Sequence, residues 1–285
     1  MVLAVFDIGG SAVKYGTWKD KTLHNTGSFT TPATFAEMVA EMKQVIATIG
    51  AIDGVAISSP GAVNVKERRI DGISAVEYLH NRPIFDQLEA EFNVPVTIEN
   101  DANCAGISEI ELGAGTKAQN AVFVVIGTGI GGSIFINRKI YQGSHLFGGE
   151  FGLMKPFGKS ILSPIGTAVN TARKFTADTG RKVDGRMLFE LADQGDESAQ
   201  KYLAEMYDAL AHSLYDVQVS IDPEMMIIGG GISVRVDVIE NIKTRLYDLL
   251  KAEGVESIMP EVVACKFKND ANLIGAAANF EVLRG

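Results

Sequence analysis

Short apolar runs, most of them broken by glycine, alternate along this chain with stretches of helical periodicity. Residues 2–6, Val-Leu-Ala-Val-Phe, read as a buried strand that ends at Asp7-Ile8-Gly9-Gly10-Ser11. Extended patterns follow over 12–18 and 22–29, so this glycine turn joins strand to strand. Thr34 and Glu37 stand at capping-box spacing, and Phe35, Met38, Val39, Met42, Val45, Ile46 and Ile49 recur at helical intervals as a core-facing stripe. A buried strand over 53–59 runs into Pro60-Gly61, which forces a turn. The stretch 62–81 lacks strong periodicity and is long for a connector, which favours a binding role. A helix over 82–92 and a β-branched strand over 94–98 come next. That strand stops at the polar Glu99-Asn100-Asp101, and Ala102, Ala105, Ile107, Ile110 and Leu112 begin a helical pattern.

The second half opens in the same way as the first. An apolar strand over 120–126 meets Gly127-Thr128-Gly129-Ile130-Gly131-Gly132, an alternating β run follows over 133–136, and Asn137-Arg138 turns it into 139–141. Those glycines have the spacing of a dinucleotide-binding fingerprint, but that motif opens a helix and these open a strand, which argues against a nicotinamide oxidoreductase. A glycine-rich stretch over 143–162 holds Gly149-Glu150-Phe151-Gly152. Helices are predicted over 165–179, 185–192, 197–219, 236–250 and 271–283, with a strand over 261–266 and a third glycine turn at Gly229-Gly230-Gly231. Leu112-Gly113-Ala114-Gly115 is the best boundary between halves. Two such lobes facing one another would bring both strand-linking turns to one cleft.

Composition narrows the classes. The 285 residues suffice for two lobes with separate cores, and 46% hydrophobic with 21% charged residues is ordinary for a soluble protein. A net charge of −9 and pI near 5.0 argue against nucleic acid as a partner. Cys104 and Cys265 are the only cysteines, far apart and without metal-ligand spacing, which suits a reducing cytoplasm. No basic region precedes the first apolar run and Asp7 interrupts it, so neither a signal peptide nor a membrane location is expected. The apolar part of the longest uncharged stretch, 121–137, is rich in glycine and shorter than the roughly 20 apolar residues of a spanning helix.

Several residues have two readings at this point. Asn100 and Asp101 are either helix caps or, at the strand-end edge where α/β sheets collect ligands, a proton-accepting carboxylate and its neighbour. The first turn is a plain hairpin or an anion cradle, with Ser11 adding a hydroxyl and Asp7 able to hold hydrated Mg²⁺. Gly229-Gly230-Gly231 is a tight strand-to-helix turn or a surface for a flat adenine or ribose. Glu150 is a solvated loop charge or a binder of hydroxyls.

Taken in order, Asp7-Ile8-Gly9-Gly10-Ser11, Ser59-Pro60-Gly61, Glu99-Asn100-Asp101-Ala102-Asn103, Ile126-Gly127-Thr128-Gly129-Ile130-Gly131-Gly132, Gly149-Glu150-Phe151-Gly152, Ile228-Gly229-Gly230-Gly231 and Asp270-Ala271-Asn272-Leu273-Ile274-Gly275 resemble the motifs of ROK-family sugar kinases. The resemblance spans almost the whole chain. It implies an α/β, two-lobed actin-like or hexokinase-like ATPase fold with ribonuclease-H-like lobes. Residues 1–117 would form the small lobe and 118–270 the large one, with a C-terminal helix, 271–285, returning to the first. It further implies phosphorylation of a sugar hydroxyl, usually O6, by ATP with Mg²⁺. By the same resemblance Asp101 is the general base, and Asn100, Glu150, Gly61 and Gly72 bind the sugar. Asp7, Gly9, Gly10, Ser11 and Lys14 form the first phosphate site, with Asp7 reaching Mg²⁺ through water. Gly127, Thr128 and Gly129 form the second, and Gly229, Gly230 and Gly231 face adenosine. A homodimer is what the family suggests.

Two departures refine the expectation. Many family members carry Glu-x-Gly-His followed by a cysteine-rich zinc motif, whereas here Leu153 stands at the histidine position and 155–162 contains neither cysteine nor histidine, so no zinc is expected. This pattern looks most like the β-glucoside kinase branch, with a glucokinase or fructokinase acting on a free hexose, or a catalytically silent sugar sensor, as alternatives. The family's transcriptional repressors carry an N-terminal helix-turn-helix, and this sequence begins directly at the first phosphate strand.

Overall fold

The computed structural model describes residues 1–284 and divides into two compact units. The first comprises Met1–Gly113, the segment Gln142–Phe147 and the chain from Asn269 onward; the second comprises Ala114–Tyr141 and Gly148–Lys268.

In the first unit, β1 (Val2–Ile8), β2 (Ala12–Lys19) and β3 (Thr22–Thr30) form an antiparallel meander through the expected glycine turn. Helix α1 (Phe35–Ile49) starts at the predicted capping box: Thr34 Oγ1 accepts from Glu37 N, and Thr34 N donates to Glu37 Oε2. Strand β4 (Gly54–Ser59) leads into a segment where the structure departs from the aperiodic loop. Here β5 (Ala62–Asn64) and β6 (Arg69–Asp71) pair as a small hairpin, followed by a 3₁₀ turn over Glu77–Leu79. Strands of three residues are too short to register a period of two, which is why the pattern missed them. Helix α2 (Ile84–Phe92), strand β7 (Val96–Asn100) and helix α3 (Asp101–Leu112) complete the N-terminal part.

The sheet order is β3-β2-β1-β4-β7, with β1, β4 and β7 mutually parallel. One face buries Phe6, Val13, Met38, Met42, Ile57, Ile84, Leu88 and Ile98 in a common core.

The second unit repeats this layout. Strands β8 (Ala121–Ile126), β9 (Ile130–Ile136) and β10 (Lys139–Ile140) are antiparallel neighbours. Helices α4 (Leu162–Ile165), α5 (Ala168–Thr179), α6 (Gly185–Asp193) and α7 (Glu197–Ile221) follow, then β11 (Met225–Gly229), α8 (Val236–Ala252) and β12 (Glu261–Ala264). The helix predicted to begin at Ile165 is interrupted: α4 stops at Gly166, and Thr167 caps α5 by accepting from Asn170 N. The sheet order, β10-β9-β8-β11-β12 with β8, β11 and β12 parallel, matches the first sheet strand for strand. Each unit is thus a ribonuclease-H-like sheet with its own core, the second centred on Val122, Phe175, Leu210, Ile228, Ile242 and Leu246.

The last helix, α9 (Ala271–Arg284), packs on β1, β4 and most closely on α3, all in the first unit. The sequence reading carried this helix to Gly285, which lies outside the described residues. Among the described residues no helix is long and apolar enough to cross a membrane.

Candidate active site

The carboxyl ends of β1, β4 and β7 gather the first set of functional side chains. Register places Asp7 beside Ser58 and Ser58 beside Glu99, three polar positions in a row across the sheet. In open α/β sheets this edge is where ligands bind.

At the end of β7 the two readings of the Asn100–Asp101 pair separate. Asn100 is the cap: its Oδ1 accepts from Ala102 N (2.9 Å) and Asn103 N (3.2 Å), and its Nδ2 donates to Gly61 O (3.1 Å). The same amide also faces the Asp101 carboxylate. Asp101, the first residue of α3, is relieved of capping and is exposed, its Oδ1 accepting from the neighbouring Ala102 N at 2.8 Å. Although solvent reaches the carboxylate, enough protein crowds around it that desolvation raises its pKa above the ordinary value. The negative charge of Asp7 adds to the rise, against the N–H of Ala102 and the amide of Asn100. The direction suits a group that must accept a proton near neutral pH.

Glu99 sits behind this turn, only 3% exposed. Its Oε1 accepts from Asn100 N (2.8 Å), Asn103 Nδ2 (2.9 Å) and Gln142 Nε2 (3.0 Å), and its Oε2 lies 3.1 Å from the same Gln142 nitrogen. Burial raises its pKa, against the bonds from Asn103, Asn100 and Gln142.

Asp7 is also buried. Its Oδ1 accepts from Ser58 Oγ (2.7 Å) and Asn272 Nδ2 (3.0 Å), while Oδ2 faces Lys14 Nζ at 3.9 Å. Lys14 Nζ donates to Asn269 O at 3.2 Å. One oxygen is therefore fixed and the other meets a distant cation, an arrangement that fits a carboxylate serving hydrated Mg²⁺. The adjoining turn is held from behind, since Gly9 N donates to Ala12 O, Thr31 Oγ1 donates to Gly9 O and Thr31 N donates to Ser11 O. Gly10 and Ser11 stay exposed. Of the two other glycines named from the sequence, Gly61 supplies the carbonyl that holds Asn100, whereas Gly72 follows β6 with nothing near the place a Cβ would occupy.

The second unit carries its own polar turn and pocket. In Gly127-Thr128-Gly129, Gly127 N donates to Gly129 O at 2.9 Å, and Asn170 Nδ2 donates to Thr128 O at 3.4 Å. A Cβ at Gly127 or Gly129 would meet nothing closer than 3.7 Å, so the fold itself does not demand glycine there. That open space is what a phosphate approaching the backbone needs.

The three late glycines divide by role. A Cβ at Gly230, whose φ is +84°, would lie 2.1 Å from Ile126 O, and one at Gly229 would strike Phe123, so both serve the tight turn. Gly231 is open and lines a cavity of about 560 Å³ with Gly127, Ala168, Phe189, Ile232 and Val234. Arg235 closes this pocket's wall. It pairs with Asp193 of α6 and Asp237 of α8 at 2.8–3.3 Å and lies 4.5 Å above the Phe189 ring, which joins the two helices that frame the cavity. Those carboxylates hold its pKa well above the usual value. Glu150 is exposed and precedes a 3₁₀ turn over Phe151–Leu153, and Leu153 is 53% exposed. Among the described residues, no group of three or more His, Cys, Asp or Glu is placed to hold a metal ion.

Sequence reasoning assigned no role to Ser58, Asn272, Glu99, Gln142 or Arg235. Asn272 and Glu99 stood inside motifs already singled out, but their partners are far away in sequence. Gln142 carried no signal.

The chain belongs to the ROK family, whose model matches residues 4–281. It is 33% identical to a β-glucoside kinase of Listeria monocytogenes, over 98% of this chain and 97% of that one. A glucokinase of Thermotoga maritima is 30% identical over 79% of this chain and 78% of its own length. Among solved structures, a ROK family protein from Streptococcus pneumoniae in complex with sucrose superimposes with a TM-score of 0.92 at 34% identity, covering 100% of this chain and 99% of that one. The chain is accordingly a carbohydrate kinase of the ATP-dependent class with the hexokinase-like fold expected from its motifs.

Proposed function

We propose that this protein transfers the γ-phosphoryl group of ATP to O6 of a β-glucoside, with Asp101 as general base. The observation that carries this reading is the state of Asp101: exposed at the strand-end edge, freed from capping by Asn100, and shifted upward in pKa. Phosphoryl transfer is mainly positioning and charge neutralisation, so the one proton to be managed is that of the attacking hydroxyl. Asp101 accepts it. Asn100 and Glu150 hold sugar hydroxyls, with Gly61 and Gly72 beside them. The turn of Gly9, Gly10 and Ser11 with Lys14, and that of Gly127, Thr128 and Gly129, serve the phosphates. Gly229 to Gly231 serve the adenosine. Asp7 would hold Mg²⁺ through water, and the metal would supply charge neutralisation on the triphosphate. In this reading residues 1–117 with the last helix act as the small lobe and 118–270 as the large one.

Leu153 supports the glucoside over the free hexose. Its half-exposed apolar side chain stands where zinc-bearing relatives present histidine. A buried sugar hydroxyl facing leucine would go unpaired, at a cost of about 1–3 kcal/mol. The same surface suits a substituent on the anomeric carbon. A coupled ADP-release assay with cellobiose, methyl β-glucoside, glucose and fructose tests this: the glucosides should match or exceed glucose in kcat/KM. A strong preference for glucose leaves the free-hexose reading, which the likeness to the Thermotoga maritima glucokinase supports. Sugar binding without ADP release leaves a sensor.

The same assay tests the metal. Activity should vanish without Mg²⁺ and survive a zinc-selective chelator, because 155–162 offers no cysteine or histidine. Inhibition by that chelator, reversed on adding zinc, would contradict the reading.

A further inference from the structure

Gln142 reaches across a long stretch of sequence to the back of the catalytic turn. It follows β10, opens the segment Gln142–Phe147 that belongs to the first unit, and places Nε2 against both oxygens of Glu99. No other donor is found at Glu99 Oε2 among the described residues, whereas Oε1 also receives Asn100 N and Asn103 Nδ2. A carboxylate that is 3% exposed must have its lone pairs satisfied, and the Gln142 amide satisfies the side that the local turn leaves bare.

The bonds form a chain of orientation. Gln142 fixes the Glu99 carboxylate; Glu99 fixes Asn100 N and the Asn103 side chain; Asn100 fixes Ala102 N, Asn103 N and the carbonyl of Gly61. Asp101 lies between residues held by this chain, and its own carboxylate is met by Ala102 N and by the Asn100 amide. We infer that Glu99 and Gln142 are a positioning pair for Asp101 and Asn100, one that touches neither sugar nor nucleotide and sets the geometry of the turn that does. The inference rests on the kinase reading above.

Charge logic supplies the test. Gln142→Glu sets two carboxylates against each other in a buried place, and Glu99→Gln added to it restores a donor facing an acceptor. The second substitution keeps Oε1 for Asn100 N and Asn103 Nδ2. With cellobiose and glucose as acceptors, Gln142→Glu should lower sugar kcat/KM by about 10²-fold, the scale of a misplacement near 1 Å. The KM for Mg·ATP should stay within threefold of wild type. Adding Glu99→Gln should return most of the loss. Gln142→Met, which removes the donor without adding charge, should lower kcat by about tenfold and lower the unfolding temperature modestly while the protein still folds, so a folding failure of the charged variant does not decide the matter. Normal kinetics in Gln142→Met, or a double variant no better than Gln142→Glu, overturns the pairing while leaving the kinase reading intact. A wild-type protein that releases no ADP with any sugar of the panel overturns both.

Discussion

Replacing Asp101 with asparagine lowers kcat by about 10²–10⁴-fold, the usual cost of losing a general base, and leaves sugar binding in place. Asparagine keeps the shape and the bond to Ala102 N but cannot take the hydroxyl proton. Turnover is measured by coupled ADP release and sugar affinity by calorimetry. A variant with near-normal kcat would make Asp101 an ordinary first-turn carboxylate and remove the proposed mechanism.

The pKa shift adds a second readout with a definite sign. The folded pKa of Asp101 is raised above its unfolded value, so folding favours the protonated form. Its ionised form therefore costs stability, with the cost appearing as pH rises through the ordinary carboxylate range and complete above the folded pKa. At neutral pH the asparagine variant should unfold at the same or a higher temperature than wild type, and this advantage should vanish in acid. In the wild type, the acid limb of kcat/KM should fall at a pH above that of an unperturbed carboxylate.

The second large effect concerns the support of the same helix. Gly275 of α9 packs so closely on α3 that a Cβ there would lie 1.7 Å from Cys104 O and 2.4 Å from Cys104 C. Backbone atoms cannot rotate aside as a side chain can, so the helices must part. Overpacking of this kind costs about 1–3 kcal/mol, sometimes more. Gly275→Ala should lower the unfolding temperature by several degrees, on the scale of about 2–4 °C per kcal/mol. Because Asp101 and Asn103 lie on α3, kcat should fall as well, with less change in the KM for ATP. Gly231→Ala is the control: its new methyl meets nothing within 4 Å, so thermal stability should be unchanged. Equal stability of the two variants would show that the α3–α9 contact yields more than the geometry implies.

What was legible in the sequence was local. The capping box at Thr34, the apolar runs of β1 and β8, and the two glycine turns that join strand to strand each write their chemistry into adjacent residues. The duplicated sheet followed from seeing that second turn repeat the first. What stayed hidden depends on register and distance. Asp7 is fixed by Ser58 and Asn272, which are 51 and 265 residues away, and Glu99 by Gln142, 43 residues on. A pairwise bond over such separations leaves no periodic trace. The division of labour at Gly229, Gly230 and Gly231 was hidden for a similar reason, because only the nearby Ile126 carbonyl and Phe123 ring separate a required glycine from an open one.

The return of the C-terminal helix to the first unit bears on how the chain is made. Asn272 completes the bonding of Asp7, and α9 covers β1 and β4, so β1 waits for a residue made 265 positions after Asp7. Residues 148–268, with 114–141, carry a whole sheet and core that need nothing later in the chain. During vectorial synthesis the second unit can thus reach its native state while the first remains open along the surface that α9 will cover. That surface stays uncovered on the nascent chain until α9 is made.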